Sequence, residues 1–401
     1  MKEEKDTLTL IHETFQSFLA SGHADQAIHH TFRSNRLTDD RERGEIVHTI
    51  KGLIRWWRPL SEATRIENPQ SKYDTRLLVN ALQYWEQLPN PKVKIKHEQT
   101  ADRLRRYHAL PKMQAGMPDW MYDKGNEQYG ERWQTIAESL NEDAPHDIRI
   151  NTLLCKSEND LLASLESEGV QASPIEDLPG GYEIVHGYER LFRTSASRAG
   201  WFEMQDRSSQ LVAHLLQVKS GMKIIDACAG NGGKSLHLAS LMRNKGKIVA
   251  LDNDEKKLLN LKKRAAKNNV DIVEVYPANT GNMEQLKGYA DRLLLDVPCS
   301  GSGVIRRNPE LKWNTSPSEL EKLKSIQRNI MDRYAAMLNE KGIMMYVTCS
   351  IFKDENEEQV AHFLKTHPDW ELLSEKMIDP SDKFSGDGFY IATLQKRKSA
   401  N

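Results

Sequence analysis

Apolar positions along the 401 residues follow two different periods. Over residues 1–110 they recur every three or four places. Leu8, Ile11, Phe15 and Leu19 form one such stripe, and Ile46, Ile50, Leu53 and Ile54 another, which predicts helices buried along one face. Pro89-Asn-Pro91 and the stretch Pro111 to Pro118 punctuate the chain, and 119–141 reads as helical again. Asp147 to Leu154 then reads as a strand and Glu158 to Glu168 as a helix ending at Gly169, with shorter strands up to Val185. From Gly200 apolar runs at 223–227, 247–251, 271–276, 291–295 and 343–348 alternate with helical patterns, most clearly 317–339. Ser316 suits the cap of that helix and Pro317 its first position. A helix at 355–366 and the run Phe389 to Leu394 close the pattern. The expected fold class is α/β: an all-helical N-terminal domain over 1–140, a small α/β accessory unit over 141–199, and a Rossmann-like, predominantly parallel sheet with helices on both faces over 200–401.

Composition narrows this little. Charged residues are 28%, hydrophobic ones 38% and the formal net charge is −1, as in an ordinary water-soluble chain. No apolar run approaches a membrane span, and Met1-Lys-Glu-Glu-Lys-Asp6 lacks the basic-then-apolar order of a signal peptide. Four cysteines make no disulfide framework, so a reducing, cytoplasmic setting with free thiols is expected. Near-neutral net charge leaves room for a local basic face. Arg33, Arg36, Arg41, Arg43, Lys51, Arg55 and Arg58, then Lys92, Lys94, Lys96, Arg103, Arg105 and Arg106, interleave with Trp56, Trp57 and Tyr107. They read either as an RNA-facing surface or, since acidic residues are mixed in, as solvated helix faces.

The densest chemistry begins at Asp226-Ala-Cys-Ala-Gly-Asn-Gly-Gly-Lys-Ser235, a glycine turn between an apolar run and a helical pattern. The next run ends in Asp252. A phosphate-binding loop would need glycine at Cys228, and a dinucleotide fingerprint would need it at Ser235. The layout fits S-adenosyl-L-methionine better: a close backbone approach at the turn, with Asp252 accepting from ribose hydroxyls. The alternative for Asp252 is a cap on the following helix. Two further segments, Leu293 to Gly303 and Met344 to Ser350, place Cys299 and Cys349 just beyond strand ends, each before a serine. Ligands bind at that edge of an open α/β sheet. Thiols beside a methyl donor suit carbon 5 of a pyrimidine, a poor nucleophile until a thiolate adds to carbon 6. Asp296 would bond the ring edge. Small apolar core residues are the alternative reading of the cysteines.

Together, Asp226-Ala-Cys-Ala229, Gly232-Gly-Lys234, Asp296-Val-Pro-Cys-Ser300 and Thr348-Cys-Ser350 resemble the Sun-type RNA (cytosine-5) methyltransferases. The likeness extends to Gly303-Val-Ile-Arg-Arg-Asn-Pro309 with Lys312-Trp313, Glu355-Asn-Glu357, Gly200 to Asp206, Arg149 to Leu153 and Gly388-Phe-Tyr390. It covers roughly 115–395. Residues 1–110 resemble, more loosely, a NusB-like RNA-binding domain. The resemblance implies that Cys349 is the nucleophile and that Cys299 helps release the product; Asp296, bonding the ring edge, is the third expected catalytic residue. It also implies cofactor contacts from Cys228, Ala229, Gly230, Asn231, Gly232, Gly233, Lys234, Asp252, Asp296 and Asn279, with no metal. Lys234 is expected near Asp296. Asn279 stands where the family has an acidic residue near the adenine, so weaker cofactor binding is one expectation. The implied partner is RNA, ribosomal in the first instance, with transfer RNA or a catalytically weak assembly factor as alternatives. A monomer is expected.

Overall fold

The computed structural model describes residues 5–278, 281–384 and 386–397. Two compact units divide the chain. One comprises the chain up to Asp143 together with Ile305–Pro317, and the other comprises the remainder.

Helices make up the first unit, among them Thr7–Ser21, Asp40–Arg55, Lys72–Trp85 and Glu98–His108. Their starts are chemically marked. Asp6 accepts from Thr9 N at 2.6 Å, and Ser71 and Asp74 cap each other reciprocally. The stripe Ile46, Ile50, Leu53 and Ile54 is wholly buried; of the first stripe Ile11 and Phe15 are, while Leu19 remains 41% exposed. The basic residues expected to form one surface are split by the fold. Trp56 and Trp57 pack against the core beside Trp85 and Phe15, with ring centroids 5.7 and 5.6 Å apart. Arg58 bonds Asp119 and Met117 O, Arg103 bonds Ala63 O, and Arg105 bonds Tyr84 and Glu98. These cations therefore hold the unit together, while Arg33, Arg36, Arg41, Arg106, Lys92, Lys94 and Lys96 lie exposed.

Residues Ile305–Pro317, expected inside the domain over 200–401, belong to the helical unit instead. Lys312 is fully enclosed. Its Nζ lies 2.6 Å from Asn141 Oδ1 and 3.0–3.2 Å from the carbonyls of Arg55, Ala115 and Gly116, while burial holds its proton affinity well below the ordinary lysine value. Trp313 Nε1 donates to Ile54 O at 2.8 Å. A hydropathy pattern cannot signal this, because a lysine is buried only where oxygens wait for it.

The second unit carries two sheets. The smaller contains β1 (Asp147–Ile150), β2 (Gln171–Pro174), β3 (Gly181–His186) and β4 (Phe202–Met204), antiparallel in the order β2-β3-β1-β4. The expected boundary at 199/200 therefore cuts this sheet, since Phe202 pairs with Ile150. The strand expected to run to Leu154 stops at Ile150, where Asn151 turns its amide to Gly200 O and Asn268 Oδ1.

The larger sheet contains β5 (Lys223–Asp226), β6 (Lys247–Asp252), β7 (Val273–Pro277), β8 (Ala290–Asp296), β9 (Leu338–Thr348), β10 (Trp370–Ile378) and β11 (Phe389–Lys396), in the order β10-β11-β9-β8-β5-β6-β7. Strands β5 to β9 pair in parallel, and β11 and β10 join antiparallel. Every apolar run singled out above forms one of these strands. Leu293, Leu294 and Leu295 are all 0% exposed, as expected of a strand covered on both faces. Strand β10 was not anticipated: it is an edge strand of mixed sequence, mostly exposed between its ends. The chain runs from β5 outward through β6 and β7, then returns to β8 on the other side. That reversal opens a crevice at the carboxyl ends of β5 and β8. Among the described residues no helix is long and apolar enough to cross a membrane.

Candidate active site

Strand β5 ends at Asp226, and the helix Gly233–Leu241 begins after a six-residue turn over 227–232. Gly230 and Gly232 have φ of +55° and +81°, and a Cβ on Gly232 would come within 2.3 Å of Leu261. Asp252, at the end of β6, reaches back to this turn: its Oδ2 accepts from Gly230 N at 2.8 Å and its Oδ1 from Asp254 N at 2.8 Å. The helix Glu255–Lys267 is capped by Asp254, so the capping role considered for Asp252 falls to its neighbour. Ser235 Oγ donates to Asp226 Oδ2 at 2.6 Å, while Asp226 Oδ1 is buried without a partner. Burial pushes the Asp226 carboxyl up to about 7.

A cavity of about 410 Å³ opens at this crevice. Cys228, Gly230, Asp252 and Asp296 line it, and the helix Pro317–Ala335 adds a wall of Ile326, Ile330, Arg333 and Tyr334. The other expected cofactor contacts divide. Ala229 packs with Ala250 and Leu261; Asn231 is exposed, its carbonyl accepting from Arg264; Gly232 and Gly233 shape the turn. Asn279 lies outside the described residues. Lys234 stands where expected, its Nζ 2.7 Å from Asp296 Oδ2 and 5.2 Å from the centre of the Phe389 ring. Burial alone would lower its proton affinity, but the charge and hydrogen bond of Asp296 outweigh this and raise it, so the pair is a lysine cation on a carboxylate.

Asp296 ends β8 and leads through Val297-Pro298 to Cys299, while β9 ends at Thr348, next to Cys349. The two sulfurs meet at 3.3 Å. The loop carrying Cys349 is pinned from behind, where Gly303 N donates to Cys349 O at 2.9 Å and Gly388 N to Gly303 O at 2.8 Å. A Cβ on Gly303 would meet Gly388 O at 2.2 Å, so this approach requires glycine. The hydrogen bond with Cys349, and then burial, raise the Cys299 thiol well above its ordinary value. Burial likewise raises the Cys228 thiol, which makes that cysteine an inert part of the wall. The sequence reading placed both sulfurs at this edge but missed the wall of the helix Pro317–Ala335 and the groups behind the cysteine loops. The serines after each cysteine were the available signal for the latter.

The residues present fit S-adenosylmethionine. Gly230 and Gly233 leave open space where a Cβ would stand, carboxylates occur at Asp252 and Asp296, and an apolar wall lies between. The volume suits a ligand of that size. Sheet order, crevice and donor set define a Rossmann-like methyltransferase. Residues 213–399 match the family described as 16S rRNA methyltransferase RsmB/F, and residues 117–188 match the RsmF/B-like ferredoxin-like domain. The chain belongs to this RsmB/F methyltransferase family. It is 31% identical over 291 residues to ribosomal RNA small subunit methyltransferase B of Photorhabdus laumondii, a match covering 70% of this chain and 66% of that relative's length. A methyltransferase homologue from Pyrococcus horikoshii is 26% identical with a TM-score of 0.64, covering 72% of this chain and 98% of that one. The structure of PH0851, at 23% identity, shares the fold over 97% of this chain and 98% of its own, with a TM-score of 0.81.

Proposed function

We propose that this protein methylates carbon 5 of a cytosine in ribosomal RNA, in the cytoplasm and as a monomer, through a covalent adduct on Cys349. The observation that carries the reading is the meeting of two thiols, Cys299 and Cys349, at 3.3 Å beside a cavity lined by Asp252 and Asp296. Methyl transfer to an exocyclic amine needs neither thiol. The ribosomal substrate is drawn from the relatives' names.

S-adenosylmethionine, when bound, supplies the electrophilic methyl group. Asp252 and the turn at Gly230 hold its polar parts. Cys349 adds as thiolate to carbon 6 of the pyrimidine, which makes carbon 5 nucleophilic. The base must leave its stack to expose carbon 6. Asp296, oriented by Lys234, binds the ring edge and favours the charge that develops there. After transfer, carbon 5 gives up its proton to a base and the carbon–sulfur bond breaks. Cys299 then donates its hydrogen bond to the departing Cys349 sulfur, which favours release. The exposed cations of the helical unit would contact the RNA backbone, and the small antiparallel sheet would offer a second contact.

Labelled S-adenosylmethionine, incubated with the protein and separated RNA fractions, tests the reading when the modified base is mapped. Label at carbon 5 of a ribosomal cytosine is expected. Label confined to transfer RNA would move the substrate, and failure to bind the cofactor in calorimetry would favour an assembly factor.

A further inference from the structure

One buried carboxyl is used by no step above. Glu355 lies in the short turn Lys353–Glu355 after β9, with 0% exposure. Its Oε1 accepts from Ser300 N at 2.8 Å and from Gln327 Nε2 at 3.0 Å. Its Oε2 accepts from Ser300 Oγ and from Ser350 Oγ, each at 2.5 Å. Ser300 follows Cys299, and Ser350 follows Cys349. Four donors thus converge on one carboxyl from both cysteine loops and from the helix that walls the cavity. Gln327 also donates to Pro298 O at 3.0 Å, one residue before Cys299. Ser302 Oγ lies 2.9 Å from Ser350 Oγ and accepts from Ile351 N at 3.0 Å, and Tyr346 OH donates to the carbonyl of Glu355 at 2.7 Å. The serine that follows each cysteine is therefore tied to Glu355, although Glu355 is not among the residues lining the cavity.

We infer that Glu355 is a positioning residue that locks the Cys299 and Cys349 loops in the single arrangement that brings the two sulfurs together. The inference rests on the covalent reading proposed above. Physical economy supports it. A carboxyl buried this deeply is tolerated only where its acceptor sites are filled, and here most donors come from the residues flanking the two thiols. Neither loop is a regular strand or helix at its cysteine, so beyond the bond from Gly303 N to Cys349 O their placement relies on side-chain bonds of the flanking residues. A misplacement near 1 Å costs on the order of 100-fold in rate.

Glu355→Gln tests it, because the amide keeps the volume but presents N–H groups to donors. The expected result is a kcat on the order of 100-fold lower, with the KM and the calorimetric affinity for S-adenosylmethionine unchanged. A second readout needs no methylation. Diamide oxidises two adjacent thiols to a disulfide while it is reduced to its hydrazine, so the rate of Cys299–Cys349 cross-linking reports their proximity. Cross-linking is expected to slow in Glu355→Gln, and Glu355→Asp, which keeps the carboxyl, to recover part of both losses. Equal cross-linking and a kcat within about threefold of the parent would overturn the inference. If Glu355→Gln does not fold, Ser300→Ala and Ser350→Ala each remove one donor and carry the same two outcomes. An inactive parent protein that still cross-links in a Glu355-dependent way would sink the proposed reaction and leave the positioning role standing.

Discussion

The sulfur of Cys299 stands 3.3 Å from the sulfur of Cys349, although 50 residues separate them in the chain. Neighbouring parallel strands, β8 and β9, deliver both to one edge of the sheet. The proposed reaction gives the two sulfurs different tasks, addition to the pyrimidine for Cys349 and product release for Cys299. The two cysteines should therefore fail in different ways when replaced. Cys349→Ala is expected to abolish methyl transfer, measured with labelled cofactor. Cys299→Ala is expected to accumulate an RNA–protein adduct that survives a denaturing gel. A clean gel with full turnover would remove the release role.

Asp252 holds the glycine turn through Gly230 and faces the cavity. Asp252→Ala removes two backbone hydrogen bonds along with the acceptor proposed for the ribose. A hydrogen bond to a charged group is worth about 1.5–3 kcal/mol. Calorimetry should show the affinity for S-adenosylmethionine falling about 10- to 100-fold. An unchanged affinity would dissociate Asp252 from the cofactor.

Asp226 gives a pH signature. Its carboxyl titrates at about 7 in the folded chain against 3.8 ordinarily, because burial penalises the charge and Oδ1 has no partner. The folded state thus holds this proton more tightly than the unfolded state. Its stabilising effect is complete below 3.8 and is lost as pH rises through about 7. Asp226→Asn stays neutral throughout. The melting temperature of the variant relative to the parent should therefore climb from pH 3.8 up to about 7 and level off above it. A constant difference would show that the proton is not held.

Lys312 is the keystone of the segment Ile305–Pro317 within the helical unit. Lys312→Met keeps much of the volume but leaves Asn141 Oδ1 and the carbonyls of Arg55, Ala115 and Gly116 without their shared donor. Buried acceptors left unpaired cost about 1–3 kcal/mol. A urea titration should register that loss as a lower midpoint. An unchanged midpoint would mean that water takes the place of the Lys312 Nζ.

Much of this was legible along the chain. The parallel strands are continuous apolar runs because both of their faces are covered, and a run of that kind identifies its strand without knowledge of its neighbours. Glycines at 230 and 232 and carboxylates at the ends of β5, β6 and β8 announced a ligand edge. Cys299 and Cys349 were placed on that edge because each follows such a run. Strand β10 was not legible, since an edge strand with one neighbour needs no apolar pattern. Neither was the fate of Trp56, Arg58 or Arg105, because a cation that anchors a carbonyl and one that meets a phosphate look the same in a sequence.

The sequence alone determined the buried strands and most helices and which chemical groups stand at their ends, because period and composition act locally. Only the tertiary structure decided which of those groups meet. It set the two thiols in contact, turned Lys234 onto Asp296, filled Glu355 with donors from both cysteine loops and enclosed Lys312 among oxygens. Except for the bond from Ser350 to Glu355, each of these joins residues far apart in the chain. Such bonds depend on strand order and on what burial leaves unpaired, which no local pattern contains.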